Sequence, residues 1–349
     1  MRLFCLAILL LSCLHPLCGQ EGRDSLLFRV MTYNVENLFD CRDDSLTHDE
    51  EFLPQSIRHW NYRRYRQKLD HVGRVIAAAG EWQLPALVAL CEVENDTVLR
   101  DLTRYSLLHE AGYRYLMTHS PDERGIDVAL LYQRHLFKPL AHCCLSVPRP
   151  TPSARPTRDI LYVSGLLLNQ DTLDVFVTHF PSRSGGAKET EPYRLLAARQ
   201  VKTAIDSIYK VRRNPQILLM GDLNEYPTGK AIRQILQADI PPTLPDSLSP
   251  HRLYHLMARK IRTQKPSGSY KYQGIWYLLD HIIVSGNLLR PSSPFHTDES
   301  KAGIFSPSFL LTEDARYGGL QPYRTYYGMQ YQGGYSDHLP VVAEFTLIY

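Results

Sequence analysis

The sequence lacks the cysteine spacing of a zinc site. It has seven cysteines but no CxxC pair, and structural zinc sites commonly take their ligands from such pairs. Four of the seven lie beyond residue 20, namely Cys41, Cys91, Cys143 and Cys144. We predict no zinc site and no disulfide framework, and we expect Cys91, inside an apolar run, to be a buried thiol.

Two enzyme signatures are also missing. The chain has no GxSxG elbow of a serine hydrolase. Residues 221–230, GDLNEYPTGK, end in Gly-Lys but lack the spacing of a phosphate-binding loop, so no nucleotide triphosphatase is indicated. The net charge is only +3 over 349 residues, and any site for a polyanion must therefore be local.

One apolar run is long enough to suggest targeting. Residues 3–14, LFCLAILLLSCL, follow Arg2 and precede HPLCGQEGRD, which is typical of a secretory signal and is short for a membrane span. We predict a signal peptide over residues 1–19 and a secreted, periplasmic or cell-envelope protein. An alternative is a lipoprotein signal, with Cys13 as the lipid-bearing residue. No other segment indicates a transmembrane helix.

The rest of the chain predicts a mixed α/β domain. Residues 63–79 place apolar side chains on one helical face and are followed by Gly80. Strand patterns occur both in hairpin order and in strand-helix-strand order, which favours a mixed sheet covered by helices. No repeat, composition break or linker is present. We therefore predict one domain over residues 28–349, and we expect a monomer with no stable protein partner.

Polar residues stand where predicted strands end. They are Asn34, Glu92, Glu94, His179, Asp222, Asn224, Asp280, Asp337 and His338. Each alone has an ordinary explanation as a cap, a solvated acid or a satisfied histidine, but ligands in α/β folds gather at strand ends. Carboxylates and amides suit Mg²⁺, Mn²⁺ or Ca²⁺, and histidine beside carboxylate suits proton transfer. The set indicates metal-assisted attack of water on a phosphoryl group.

Seven segments carry a family resemblance. They are TYNVENLF, LCEVEN, RGIDVALLY, THFPSR, GDLNEYP, LLDHIIVS and YSDHLPVV. In this order they resemble the motif series of the endonuclease/exonuclease/phosphatase superfamily, and within it the deoxyribonuclease-like predicted extracellular nucleases of bacteria. The resemblance implies a four-layer α/β/β/α sandwich with two mixed β-sheets, and a phosphoric ester hydrolase that depends on a divalent metal, Mg²⁺ or Mn²⁺ with Ca²⁺ as a further option.

The resemblance also implies residue roles. Glu92 would bind the metal with support from Asn34 and Asp337, although Cys91 replaces the family's usual glutamine. Asp222 would orient or deprotonate the attacking water, and Asn224 would hold the scissile phosphate.

The remaining implied roles concern the histidines. Asp280 would orient the catalytic His338, and His179 would protonate the leaving oxygen, with a structural role as its alternative.

Cations and aromatics suggest how a substrate would be held. Arg124, Arg158 and Arg183 are candidate phosphate-binding residues, each with a solvated surface arginine as the alternative. The tyrosines of residues 315–338 either stack on bases or sugars or pack a long loop that holds Asp337 and His338. Packing is the favoured interpretation.

Three functions remain possible from the sequence. The first is an endonuclease that hydrolyses DNA or RNA. The second keeps the fold and acts as a phosphatase or a sphingomyelinase-type lipid phosphodiesterase, for which an exposed apolar hairpin would be expected and none is obvious. The third is a non-catalytic binding protein, disfavoured because Glu92, Asp222 and His338 are all present. DNA versus RNA, endo versus exo and the metal in use stay open.

Overall fold

The computed structural model describes residues 24–243 and 247–349. The predicted signal peptide and Cys13 lie outside these residues. The strands are β1 (Ser25–Leu38), β2 (Leu87–Val93), β3 (Arg114–Met117), β4 (Asp127–Tyr132), β5 (Phe137–Leu145), β6 (Ile160–Leu167), β7 (Thr172–His179), β8 (Ile217–Asp222), β9 (Ala238–Asp239), β10 (Leu253–His255), β11 (Tyr270–Tyr272), β12 (Ile275–Tyr277), β13 (Asp280–Ser285), β14 (Phe295–His296), β15 (Ala302–Ile304), β16 (Leu311–Glu313), β17 (Leu320–Pro322), β18 (Tyr326–Tyr327), β19 (Gln330–Tyr331) and β20 (Val341–Ile348).

The α-helices are α1 (Tyr62–Gly80), α2 (Asp96–Tyr105) and α3 (Glu191–Val211). Shorter helical turns cover Glu50–Phe52, Ala231–Ile235, Lys260–Arg262, Gly286–Leu289, Glu299–Lys301 and Ser308–Leu310. No helix in the described part of the chain is long and apolar enough to cross a membrane.

Two seven-stranded mixed sheets form the centre of the molecule. The first has the order β14-β20-β1-β2-β4-β3, with β15 also paired to β20, and the second has the order β5-β6-β7-β8-β13-β10-β9. In the first sheet β1 and β2 are parallel, and in the second β7 and β8 are parallel, while β13 runs antiparallel to β8. These parallel pairs place the ends of four strands at one edge of the two sheets.

The layers follow from where apolar side chains are buried. One buried cluster joins residues of both sheets, including Tyr33 and Met220, and continues under α1 and α2. A second cluster lies between the second sheet and α3, including Phe176 and Val201. The molecule is thus the predicted four-layer α/β/β/α sandwich, in which two mixed sheets face each other between helices.

Helix α1 forms because its ends and its buried face are both specified by sequence. The Asn61 side chain caps the first turn by accepting from the backbone N–H groups of Arg63 and Arg64. Tyr65, Leu69, Val72 and Ile76 are buried against the first sheet. The predicted helix over residues 63–79 is confirmed.

Strand β1 differs from the alternating pattern of its sequence. From Phe28 to Asn34 the strand is buried on both faces, including Arg29, whose guanidinium donates to the Ala79 carbonyl at 2.7 Å and pairs with Glu344. It is the strand between β2 and β20, and its polar positions Arg29, Thr32 and Asn34 are buried with the apolar ones.

The chain does carry exposed apolar hairpins, contrary to what its sequence suggested. The hairpins β11–β12, β16–β17 and β18–β19 are two-stranded ribbons outside the main sheets. Their exposed side chains, 44–56% accessible, are Tyr272, Ile275, Tyr317, Leu320, Tyr327 and Met329. Tyr270 and its hairpin reach the site described next, since Tyr270 forms a β-bridge with His338.

Candidate active site

Three neighbouring strands bring polar side chains to one point at the edge of the second sheet. Asp222 is the last residue of β8, His179 the last of β7 and Asp280 the first of β13. Asp222 lies opposite His179 in the parallel ladder and opposite Asp280 in the antiparallel one. Asp280 therefore reaches this edge from the beginning of its strand, whereas the sequence suggested a strand end.

Gly221 allows this convergence. Its φ is +145°, and a Cβ built on it would lie 1.8 Å from the Thr178 carbonyl oxygen. Since β7 and β8 approach this closely only without a side chain at residue 221, the glycine before Asp222 is a steric requirement. It places the Asp222 and His179 side chains beside each other.

Asn34 joins the two sheets at the site. Its amide Nδ2 donates to Glu92 Oε1 and to Asp222 Oδ2, each at 3.2 Å. Asn34 lies inside β1, at an irregularity before Leu38, and does not end the strand as expected. One buried amide thus binds a carboxylate from each sheet and fixes the distance between them.

Glu92 is held in an unusual backbone conformation. Its φ is +66°, and its Oε2 accepts from the Asn37 backbone N–H at 3.0 Å. Glu36, Asn37 and Asn224 also have positive φ. Such conformations are costly for residues with a side chain and concentrate at functional sites, where the surrounding structure maintains them.

Asp280 and His338 form a buried pair. His338 Nδ1 lies 2.7 Å from Asp280 Oδ2, which also accepts from the Ser269 hydroxyl at 2.6 Å. Burial lowers the pKa of His338, but Asp280 and Asp222 outweigh it and raise that pKa well above the ordinary value. His338 is therefore a cation at neutral pH, and its Nε2 lies 3.8 Å from Asp222 Oδ2.

Asp222 is a buried carboxyl with a raised pKa. Burial, followed by the charge of Asp280, raises the pKa, while His338 and the N–H donors of Asn224 and Asn34 oppose the shift. A carboxyl that titrates closer to neutral pH is a stronger base than an ordinary aspartate. Proton transfer at Asp222 is thus within reach at neutral pH.

His179 is neutral. Burial and the nearby Arg158 and Arg124 lower its pKa well below the ordinary value. Its Nε2 lies 3.7 Å from Asp222 Oδ2 and 3.9 Å from Glu92 Oε1. A neutral ring can donate a hydrogen bond but has no imidazolium proton to give.

Asn224 and Asp337 complete the predicted set. The Asn224 N–H donates to Asp222 Oδ1 at 2.8 Å, and its amide donates to the Phe180 carbonyl at 3.0 Å. Asp337, beside His338, has Arg324 NH2 at 3.9 Å from its Oδ2 and is partly exposed.

The donor set fits a divalent cation. Ligand atoms of Asp222, Asp280 and His338 lie within 4.8 Å of one another, and Asp280 Oδ1 is buried without a partner in the described structure. However, Asp280 and His338 are already hydrogen-bonded to each other, which a bound cation would disrupt. The carboxylates of Glu92 and Asp337 are hard oxygen donors that are not paired with His338, and Mg²⁺ or Mn²⁺ prefers such donors. Asn34 supports Glu92 from behind, since its amide N–H donates to Glu92 Oε1 while its own Oδ1 accepts from the Glu36 N–H at 3.0 Å.

The three candidate arginines lie in different environments. Arg158 is buried, with NH1 3.1 Å from Asp122 and NH2 donating to the Phe180 carbonyl at 2.8 Å. Arg124 is half exposed and lies 3.5 Å from the same Asp122. Arg183 lies over the Tyr277 ring at 5.6 Å. Arg124 and Arg183 thus keep surface for a ligand, whereas the Arg158 guanidinium is occupied by internal partners.

Several residues in or next to the site were not among the candidates chosen from the sequence. Ser269 carries no sequence signal, because its role depends on a hairpin that folds back to Asp280. Lys68 could have been noticed in the sequence, because it is a lysine next to Leu69 on the apolar face of the predicted helix. In the structure it is 2% exposed. Glu36, two residues after Asn34, accepts from the backbone N–H groups of Thr325 and Tyr326.

Comparison with solved structures supports the fold. An endonuclease/exonuclease/phosphatase family protein from Bacteroides thetaiotaomicron aligns over 93% of this chain and 100% of its own, with a TM-score of 0.58 and 14% identity. A mannosyl-6-phosphatase from the same organism aligns over 91% and 99%, with a TM-score of 0.57 and 16% identity. The human Nocturnin catalytic domain with bound sulfate aligns over 93% and 97%, with a TM-score of 0.53 and 16% identity.

Sequence comparison identifies the family. A search of curated proteins finds no match. A sequence model of the endonuclease/exonuclease/phosphatase family matches residues 29–346, which is nearly the whole predicted domain. The chain therefore belongs to the endonuclease/exonuclease/phosphatase family, whose members are phosphoric ester hydrolases.

Proposed function

We propose that this protein is a divalent-metal-dependent phosphodiesterase, and specifically an endonuclease that cuts DNA or RNA. The observation that carries the proposal is the position of Asp222: a buried carboxyl with a raised pKa stands between a cationic His338 and a neutral His179, and Asn34 ties it to Glu92. This arrangement suits in-line displacement at phosphorus, because charge and proton acceptors surround one point.

The residues would divide the reaction as follows. Asp222 accepts a proton from the attacking water, and the His338 imidazolium, held by Asp280, faces the negative charge that builds on the phosphoryl oxygens. Asn224 and the N–H of His179 orient the phosphate. A divalent cation held by the Glu92 and Asp337 carboxylates, with Glu92 oriented by the Asn34 amide, would supply Lewis-acid stabilisation of the negative charge that develops in the reaction.

This assignment modifies one expected role. A general acid at the leaving oxygen must hold a proton near neutral pH. Because the pKa of His179 is lowered well below its ordinary value, we assign it hydrogen-bond donation to the phosphate, and the leaving oxygen then takes its proton from solvent water.

The surroundings of the site favour a polyanion. Arg124 is half exposed and charged, and Arg183 stacks over Tyr277, which in turn lies 5.5 Å from Tyr226. An arginine beside aromatic rings suits a phosphate with a neighbouring base or sugar. With the predicted signal peptide, these features support a secreted nuclease.

A second candidate rests on the exposed hairpins. Tyr272, Ile275 and Leu320 are 50–56% exposed, on hairpins one of which reaches His338 through Tyr270. Apolar side chains at the rim suit an amphiphilic phosphoester, such as a sphingomyelin-type lipid. The similarity in fold to a mannosyl-6-phosphatase suggests small phosphate esters as further substrates to test.

A substrate panel separates these functions. The protein from Gln20 onward is assayed with Mg²⁺, Mn²⁺ or chelator on plasmid DNA, single-stranded DNA, RNA, sphingomyelin vesicles and a sugar phosphate. Metal-dependent nicking of plasmid or cleavage of RNA supports the nuclease. Turnover of lipid or sugar phosphate with intact polymers moves the substrate to the second candidate, and no turnover of any substrate contradicts both.

A further inference from the structure

Lys68 is a buried cation that the proposed reaction does not use. It lies on α1 and is 2% exposed. Its Nζ donates to the Thr325 hydroxyl and to the Tyr335 carbonyl, both at 2.5 Å. Neither partner is charged, and among the described residues the acids that act on this ammonium group do so through space and not as ion-pair partners. A buried charge without an ion-pair partner is costly and calls for an explanation.

Two of the acids whose charge acts on Lys68 belong to the proposed metal site. Burial lowers the pKa of Lys68, and the charges of Glu36, Asp337 and Glu92 oppose that shift. Two of these three are the carboxylates assigned to the cation. In a buried environment charges interact over distances at which water would screen them, so the lysine acts on all three without touching any.

The contacts of Lys68 also reach residues 325–337, the segment that carries Asp337. The Thr325 hydroxyl accepts a hydrogen bond from Lys68 Nζ, and the Thr325 backbone N–H donates one to Glu36 Oε2 at 2.6 Å. Tyr335, the other acceptor, stands two residues before Asp337. Lys68 is thus linked through Thr325 to the Glu36 carboxylate of β1, and through Tyr335 to the residues just before Asp337.

The same segment has other attachments that do not involve Lys68. The Ser336 hydroxyl donates to the Asn34 carbonyl at 2.7 Å, and His71 Nδ1 lies 2.9 Å from the Gly334 carbonyl. Arg74 donates to the Tyr335 hydroxyl at 3.0 Å. A neutral residue at position 68 would therefore leave the segment in place, and its main effect would be electrostatic.

We propose that Lys68 is a positioning residue that supplies a counter-charge to the metal site. In the metal-free protein its positive charge reduces the repulsion among the Glu36, Glu92 and Asp337 carboxylates. The same charge weakens the binding of the divalent cation. The inference rests on the proposed metal-dependent function. Without the lysine, clustered carboxylates would repel one another in the metal-free protein and attract a cation more strongly. The lysine therefore gives a preformed site that binds the metal reversibly.

The test is calorimetric titration of the metal-free full-length mature protein with Mn²⁺, using four variants. Lys68→Gln removes the charge and keeps an N–H donor, Lys68→Met removes both, and Lys68→Arg keeps the charge. Arg63→Met removes an exposed charge on the same helix and is the matched control. Thermal unfolding is measured without and with saturating Mn²⁺.

Lys68→Gln and Lys68→Met are expected to bind Mn²⁺ at least about fivefold more tightly than wild type, since a nearby positive charge is gone. Their melting temperature should fall in the metal-free protein and rise more on adding Mn²⁺ than that of wild type. Lys68→Arg and Arg63→Met should keep an affinity within about twofold of wild type.

The outcomes separate this inference from the proposed function. If Lys68→Gln and Lys68→Met bind Mn²⁺ as wild type does, or more weakly, Lys68 is only a hydrogen-bond donor and the inference is wrong while the metal site stands. If wild type itself does not bind Mn²⁺, the metal-dependent function fails first.

Discussion

At the scale of single residues, the site depends on how burial and charge set protonation. His179 Nε2 and His338 Nε2 each lie within 4 Å of one carboxylate oxygen, Asp222 Oδ2, yet the pKa values of the three groups move in different directions. Burial and Asp280 raise that of Asp222, two carboxylates raise that of His338, and burial with two arginines lowers that of His179. The result is a base, a cation and a neutral donor in one small volume.

Removing the Asp280 charge should disable His338. In the structure the Asp280 carboxylate lies 2.7 Å from His338 Nδ1. Asp280→Asn removes the negative charge of this group, and the buried imidazolium loses its main stabilisation. We expect the turnover number to fall about a hundredfold or more, with a smaller change in KM. Steady-state kinetics on a phosphodiester measure both. Asp206→Asn, a substitution at a partly exposed position of α3 whose carboxylate pairs with Lys202, is the control, and equal losses in both variants would contradict the role of Asp280.

A second residue-scale prediction concerns stability and pH. Glu94 is 8% exposed, accepts from the Asp40 N–H, and burial raises its pKa to about 8. In the unfolded chain the pKa of this carboxyl is near 4.3, so it loses its proton at a lower pH than in the folded protein. Between these two pKa values the folded state binds more protons than the unfolded state, and the free energy of unfolding therefore falls as the pH rises.

Glu94→Gln should remove this dependence. The amide oxygen can still accept from the Asp40 N–H, and no charge remains to be buried. We expect the variant to be more stable than wild type by about 1 kcal/mol or more at pH 8.5, and to differ little from it at pH 4. Urea unfolding at both pH values measures the difference, and a pH-independent difference would show that Glu94 keeps an ordinary pKa.

At the scale of elements, the approach of β7 to β8 is set by one glycine. In Gly221→Ala the methyl group would meet the Thr178 carbonyl oxygen, and φ of +145° is unfavourable for alanine. We expect a loss of at least about 2 kcal/mol in the free energy of unfolding, measured by urea denaturation. Gly112→Ala, at an exposed turn with φ +68° and open space around a Cβ, controls for backbone strain alone. An equal loss in both would mean that the close approach of the strands contributes nothing.

The elements that the sequence predicted are those specified locally. Helix α1 has a capping asparagine and an apolar stripe, and β8 is an apolar run before a glycine, so both follow from short stretches. Residues 270–285 are different. Their aromatic and β-branched composition is typical of a strand, and the structure divides them into the hairpin β11–β12 and the sheet strand β13, because pairing with β8 begins only at Asp280.

The same distinction holds for the site. The residues at strand ends could be chosen from the sequence, since each follows or precedes an apolar run. Ser269, Glu36 and Lys68 could not be assigned roles, because their partners are 11, 289 and 257 residues away in sequence. The exposed apolar hairpins were missed for a related reason: tyrosines and isolated aliphatic residues become a surface only when three separate ribbons fold next to the main sheets.

At the scale of the whole molecule, two sheets contribute different parts of one site. The first sheet supplies Asn34 and Glu92, and the second supplies His179, Asp222 and Asp280, while His338 precedes the last strand of the first sheet. The Asn34 amide, 3.2 Å from a carboxylate of each sheet, spans the interface between them. The correct packing of the sheets is therefore a condition for assembly of the site.

The central claim is that Asp222 is the basic group of a metal-dependent phosphodiesterase. The most direct test is the rate of hydrolysis of a chromogenic phosphodiester by wild type and by Asp222→Asn, each with Mg²⁺ and with chelator, after thermal unfolding has shown that both are folded. We expect hydrolysis by wild type that requires Mg²⁺, and a loss of about a thousandfold in Asp222→Asn. Hydrolysis by Asp222→Asn at the wild-type rate, or hydrolysis that continues in chelator, would contradict it.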